Sequence, residues 1–379
     1  YFKNSRGSAN CKMRILLLTT HLRIGGVGVY TATLANALQR MGHVVFVASA
    51  GGELEKELLP GIKVARIPMG TKSIVGPKIT ASIYKLWRLI KEERIEVMHA
   101  QTRVAQFAAC MLAGMTKVPY VSTWHGFYRP HFFRKALPCW GEITIAISGT
   151  VYEHLKNDFK RDEKKIRLIF NGVDVSKFSR VYSQEEKNAI RRKYGLKDGP
   201  IIGIISRLSE EKGHMMLLDA FKDLLGEIPG AQLVIVGEGR LGGQLKSKTS
   251  ELGIGKNVRF FGNTLNAAEF LAIMDVFTRP SIKEGFGLGV VEAMLMGVPV
   301  VSTNVGGFKS ILNHGEVGVL VEPSDTAGLK EGIKKVLTDR GLAGRISAAA
   351  RKYAASNFSA DRMAKQVEGV YKEVVHGSK

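Results

Sequence analysis

Cysteine is scarce in this chain: Cys11, Cys110 and Cys139 stand far apart, without CxxC spacing or paired histidines. Neither a disulfide framework nor a zinc site is indicated, and the cytoplasm is the expected compartment. Long apolar runs are lacking too. The stretch Val104–Gly114 is short and broken by Gln106, well under the roughly 18 residues that a membrane-spanning helix needs. No low-complexity tract or short-period repeat is visible. The opening Tyr1–Lys12 has no apolar h-region and precedes Met13, so residues 1–12 read as leader sequence outside the fold.

What is present is ordinary globular composition, 45% hydrophobic and 23% charged over 379 residues, a length that suits two domains of about 150–200 residues each. The formal net charge is +21, and it is unevenly spread. Residues 1–180 carry 28 Lys and Arg against 12 Asp and Glu, a balance of +16; residues 181–379 carry 27 against 22, a balance of +5. A basic first half attracts nucleic acid, anionic lipid or an acidic substrate.

From Met13 the pattern is a short apolar strand (Arg14–Thr19), a glycine loop (Gly25-Gly26-Val27-Gly28), an amphipathic helix to about Met41 and a second strand, Val44–Ala48. This is a βαβ unit. Strand patterns at Val64–Ile67, Glu96–His99, Tyr120–Thr123 and Ile143–Ile147 alternate with helical ones, and the alternation resumes at Ile201–Ile205 after a polar segment. Alternating strands and helices predict parallel sheets covered on both faces. The expected fold class is therefore α/β, with two Rossmann-like domains, 13–180 and 181–357, facing across a cleft. The closing segment 358–379 has no strand after its helix and is expected to cross back onto the first domain.

The strongest chemical signal is the run Arg279-Pro280-Ser281-Ile282-Lys283-Glu284-Gly285-Phe286-Gly287-Leu288-Gly289-Val290-Val291-Glu292. Glu284 is expected in a glycine loop and Glu292 about one turn into the following helix, at two depths of one pocket. The amides of Phe286, Gly287 and Leu288 would form a helix N-terminus facing a phosphate. A helix dipole supplies only about 0.3–2 kcal/mol toward an anion, so cations are needed to hold a diphosphate. The segment Ser206–Gly213 follows a strand and opens a helix, placing Arg207 and Lys212 at the carboxyl edge of the second sheet. Charge-assisted hydrogen bonds of about 1.5–3 kcal/mol each would stabilise a departing phosphate there.

These residues resemble glycosyltransferase family 4, of the GT-B fold class, over essentially Met13–Val375. The family's E-x7-E signature stands as Glu284 and Glu292 in EGFGLGVVEAM, followed by a family-like GVPVVSTNVGG at Gly297–Gly307. The resemblance implies that Glu284, with Gly285 and Phe286, contacts the donor sugar and that Glu292 contacts the ribose. It implies that Arg207 and Lys212 bind the diphosphate and that Gly25 and Gly26 form the amino-terminal phosphate loop. It implies a UDP- or GDP-sugar donor and no cofactor, with transfer that retains anomeric configuration without a metal. His125, in Thr123-Trp124-His125-Gly126-Phe127 after a strand, falls where the family has a sugar-contacting, catalytically important histidine, and its ordinary pKa suits proton handling. Gly262, Asn263 and Thr264 occupy the loop that lies near the base in relatives, and Asn171–Asp174 matches a turn near the hinge.

Two basic and aromatic segments, Phe127–Lys135 and Lys78–Arg94, could meet a lipid surface, the second through a stripe of Ile79, Ile83, Leu86, Trp87 and Ile90, although such a stripe is more often core packing. The expectation is a sugar or lipid-linked, anionic acceptor, such as an envelope glycolipid or lipopolysaccharide precursor, and contact with the inner face of a membrane. Two other classes stay open: a GT-B-fold epimerase or phosphorylase, and a nucleic-acid-binding protein suggested by charge alone. No RNA- or DNA-binding module is recognisable, so no nucleic acid partner is expected, and Gly25–Gly28 lacks the GxGxxG spacing of a dinucleotide loop.

Overall fold

A computed structural model describes residues 12–71, 76–130, 137 and 139–377. The first sheet contains β1 (Arg14–Leu18), β2 (Val44–Ser49), β3 (Lys63–Arg66), β4 (Val97–Ala100), β5 (Tyr120–Trp124), β6 (Ile143–Ala146) and β7 (Ile166–Leu168), in the order 3-2-1-4-5-6-7. The second contains β8 (Ile201–Ile205), β9 (Gln232–Val236), β10 (Val258–Phe261), β11 (Val276–Arg279), β12 (Val300–Thr303) and β13 (Val319–Val321), in the order 10-9-8-11-12-13. Every ladder is parallel. Strands such as Ile15–Leu18 and Leu233–Val236 are buried throughout, as strands covered by helices on both faces must be. In both sheets the order reverses beside the first strand, and ligands bind beyond the carboxyl ends of strands at such a switch point.

β7 is a strand that the apolar pattern did not reveal: it is three residues long, its second residue is Arg167, and its third, Leu168, is 42% exposed. The polar segment after Asp174 holds regular structure of its own. Ser183 and Glu186 form a capping box on the helix Gln184–Lys193, which satisfies two backbone donors reciprocally, and Tyr194 then stacks on Phe270 at 4.4 Å between ring centres.

The last helix, Ala360–His376, buries Met363, Ala364, Val367 and Tyr371 in one core with Leu34, Leu38 and Val45 of the first domain. The chain thus passes between the domains twice, and the two passages are bonded together. Val173 N–H donates to Phe358 O (2.8 Å), and Ala360 N–H donates to Val173 O (2.9 Å). Gly172 packs so closely that a Cβ there would lie 2.7 Å from Ala360 Cα, which explains the glycine in the Asn171–Asp174 turn.

The stripe on the helix Pro77–Glu92 faces inward. Ile79, Leu86 and Ile90 are buried and Ile83 and Trp87 partly so, packed with Ala105, Ala108 and Ala109 of the helix Arg103–Thr116. The lipid-facing reading of that stripe is therefore corrected: core packing uses it, and what the two helices leave exposed is Tyr84, Met111 and Met115, beside Lys78, Lys85 and Lys91.

Candidate functional site

The loop between β11 and the helix Leu288–Leu295 is shaped by the segment after β12. A Cβ on Gly306 would sit 1.9 Å from Glu284 O, and one on Gly307 3.2 Å from Phe286 Cα. Gly306 also takes φ 57°, the left-handed region that glycine adopts without strain. Thr303 Oγ1 donates to Ser281 O at 2.5 Å and Ser302 Oγ to Arg279 O at 2.9 Å. This clamping folds Glu284 inward, where it is 9% exposed.

Three donors converge on one oxygen of Glu284. Lys212 Nζ lies 2.9 Å, Arg279 Nη2 3.0 Å and Ser281 Oγ 3.5 Å from Oε2, while Oε1 takes no hydrogen bond among the described residues. Burial alone would push this carboxyl up, but Arg279 and Lys212 outweigh it and hold the pKa below the ordinary value. Lys212 is itself pulled down, first by burial and then by Arg279. The buried cluster carries two cations and one anion, so its net field favours a further negative group.

Arg279 is not among the residues that spacing singles out. Its signal is a charged residue ending a buried strand, and its Nη1 also donates to Ile205 O at 2.6 Å, tying β11 to β8. Arg207 and Lys212, predicted as a pair, differ in setting. The Arg207 side chain is 70% exposed and pairs with Glu211 at 2.9 Å, whereas the Lys212 side chain, 13% exposed, turns inward to Glu284.

The helix expected to face a phosphate starts at Leu288, so of the amides of Phe286, Gly287 and Leu288 expected at its N-terminus that of Leu288 is its first. Gly287, with φ 105°, is its cap, and a Cβ there would meet the Phe308 ring at 2.3 Å. No side chain caps the helix, leaving the Leu288 and Gly289 amides at its open end; Val290 N–H bonds Gly287 O. Phe286 is 2% exposed and packs on Phe170 and Phe358, so it can offer a ligand only its backbone. Glu292 differs from Glu284: burial dominates and raises its pKa to about 7 despite the countering Lys177 and Arg279.

Across the cleft, Gly285 lies against the loop after β5; a Cβ on it would fall 2.8 Å from His125 O. This contact brings His125 beside Glu284. His125 Nε2 is 3.0 Å from Gln101 Oε1, and its ring meets Tyr30 edge-on at 4.7 Å. Burial lowers its pKa to about 3, so near neutral pH the ring is an uncharged hydrogen-bonding group that can accept from a hydroxyl. Gly25 and Gly26 precede and open the helix Gly26–Arg40, with open space where side chains would project. Asn263 donates from N and Nδ2 to Glu238 at 3.5 and 3.2 Å, and Gly262 approaches the same carboxylate. Thr264 Oγ1 accepts from Asn266 N–H at 2.9 Å, and Leu265 packs on the first-domain core.

Of the basic and aromatic segment Phe127–Lys135, Phe127 to Pro130 line a groove of about 650 Å³ with the helix Gly149–Asn157 and Lys283; His131 to Lys135 lie outside the described residues. Lys283 Nζ sits 4.6 Å over the Phe127 ring. Among the described residues no cluster of three His, Cys, Asp or Glu side chains is arranged for a metal, and no helix is long and apolar enough to cross a membrane.

Two family models match. Glycosyl transferases group 1 covers residues 186–353, and Glycosyltransferase Family 4 covers residues 24–177. An uncharacterized glycosyltransferase of Methanocaldococcus jannaschii is 29% identical over 371 residues, covering 92% of this chain and 94% of that protein. A UDP-Gal:alpha-D-GlcNAc-diphosphoundecaprenol alpha-1,3-galactosyltransferase of Escherichia coli is 26% identical over 388 residues, covering 94% and 99%. The crystal structure of a glycosyltransferase from Rickettsia africae aligns with TM-score 0.83 at 26% identity, covering 96% of this chain and 99% of that one.

Proposed function

The chain belongs to glycosyltransferase family 4, and from that premise we propose that it moves a sugar from a UDP- or GDP-sugar to a lipid-linked or anionic acceptor, retaining configuration and without a metal. The carrying observation is the buried Lys212–Glu284–Arg279 cluster beside the open amides of Leu288 and Gly289. Fixed cations in a buried site stabilise charge developing on a leaving diphosphate without reorganising, which is the work a metal does elsewhere. In this reading Glu284 Oε1 receives a hydroxyl of the donor sugar, and the backbone of Gly285 and Phe286 lines it. Glu292 receives the ribose, and the Gly262–Thr264 backbone faces the base. Lys212 is the fixed diphosphate cation, Arg207 swings in from solvent as the second, and Gly25 and Gly26 leave room for phosphate.

The acceptor enters from the first domain. Its excess charge, the groove behind Phe127, and exposed Tyr84, Met111 and Met115 among lysines suit an anionic acceptor at a lipid surface, where each basic residue contributes about 1 kcal/mol. The E. coli relative is named for a diphosphoundecaprenol acceptor, which is of that class. Such an enzyme would work at the inner face of a membrane.

Slow hydrolysis of UDP-, GDP- and ADP-sugars, followed by NMR with and without EDTA, tests the donor half. The released sugar should keep its anomeric configuration and the rate should not change with EDTA; inversion, or loss of activity in EDTA, would contradict it. Flotation with liposomes tests the acceptor half: the protein should float with anionic vesicles at low salt and stay down with neutral ones.

A further inference from the structure

His125 leaves the loop after β5, but other elements hold its ring. Gln101 follows β4 and is 1% exposed. Its backbone N–H donates to Leu18 O at 2.9 Å, which fixes it at the carboxyl edge where β1 and β4 adjoin. Its Oε1 lies 3.0 Å from His125 Nε2. On another side the Tyr30 ring meets the imidazole edge-on. Tyr30 is anchored in turn: its hydroxyl is 3.3 Å from Thr123 Oγ1, which is 2.7 Å from His99 Nε2, and His99 Nδ1 is 2.6 Å from Tyr371 OH on the last helix.

We propose that Gln101 is a positioning residue whose carboxamide oxygen accepts the Nε2–H of His125, selecting that tautomer and leaving Nδ1 as the lone-pair acceptor for a hydroxyl of the bound sugar. The inference rests on the reading that His125 contacts the sugar. A neutral imidazole has one N–H and one lone pair, and the partner of one nitrogen decides what the other presents. His125 is neutral, its pKa held at about 3 by burial, and the titratable groups facing it are Tyr30 from the first helix and His99 from β4, itself lowered to about 3. Glu284, on the facing loop of the second domain, has its charge taken up by Lys212 and Arg279, and burial is the cause of the His125 shift, so tautomer choice falls to Gln101. The contact with His125 is the side-chain hydrogen bond this amide makes among the described residues.

The test uses the full chain with Gln101→Leu and Gln101→Glu. Histidine ¹⁵N spectra report the tautomer without any ligand, and hydrolysis of UDP-glucose, or of whichever nucleotide sugar the donor panel selects, reports function. Wild type should show His125 as the Nε2–H form. The leucine variant should show both tautomers, with kcat down about tenfold to a hundredfold and donor KM within about twofold. The glutamate variant should raise the His125 pKa by a unit or more, as a carboxylate neighbour does, adding an acid limb on which turnover falls as pH drops. An Nδ1–H ring in wild type, or a tautomer and pH profile unmoved in both variants despite lower melting temperatures, overturns the proposal. Failure of the wild type to bind any nucleotide sugar would sink the donor reading instead and leave the tautomer result standing.

Discussion

The two sheets share a strand order, yet the loop after the first strand of each is built on a different principle. In the first domain Gly25 and Gly26 carry the chain into a helix with open space above them. In the second, Ser206–Gly213 sends Lys212 into a buried ion cluster, and Gly213, at φ 72°, packs so tightly that a Cβ would lie 1.8 Å from Pro280 O. Gly25 and Gly26 leave open space, while Gly213 makes room for the protein itself. On the proposed function, equivalent positions in one topology would divide the work: the second domain would grip through fixed charge, and the first admit through space.

Substitutions at these loops break or sharpen that division. Gly213→Ala should destabilise most, by about 2–5 kcal/mol from left-handed strain and overlap with Pro280 together, read as the urea midpoint. Gly26→Ala should leave stability unchanged or raised by up to about 1 kcal/mol while KM for the donor rises; equal destabilisation of the two variants would erase the contrast. Next, Arg207→Ala should cost no more than about 0.5 kcal/mol, since its pair with Glu211 is exposed, yet slow turnover about tenfold or more. Unchanged turnover would remove Arg207 from the diphosphate site.

The smallest effect concerns Glu292. Its folded pKa, about 7, lies above its ordinary value, so between those values the folded state holds a proton that the unfolded chain has released, and stability falls as pH rises through this window. Glu292→Gln should thus melt like wild type near pH 4 and higher than wild type at pH 8. Affinity for UDP should weaken in wild type as pH falls through about 7, because ribose hydroxyls need the charged acceptor, and that dependence should flatten in the variant.

Strand and helix alternation was legible because parallel strands buried on both faces read as continuous apolar runs; Ile201–Ile205 is found at the expected bounds. Elements without such a run were not: β7 is short and carries Arg167, and the helix Arg340–Asn357 buries only Ile346, Ala350 and Ala354. At the site, Glu284, Glu292 and Lys212 stood out by spacing. Arg279 and Gln101 did not, because their roles depend on partners 74 and 24 residues away in sequence. Nor could spacing show that two glutamates eight positions apart would be held in opposite senses, one charged by cations and one raised by burial.

The central claim is that Ser281–Gly297 holds a nucleotide sugar, with Glu284 on the sugar. Titrating UDP, GDP and their glucose conjugates into wild type and Glu284→Gln by calorimetry tests it most directly. The account predicts that one nucleotide sugar binds wild type, and that the substitution weakens the sugar conjugate about tenfold or more while the bare diphosphate stays within about threefold. Absence of binding by every nucleotide, or equal losses for conjugate and bare diphosphate, would contradict it.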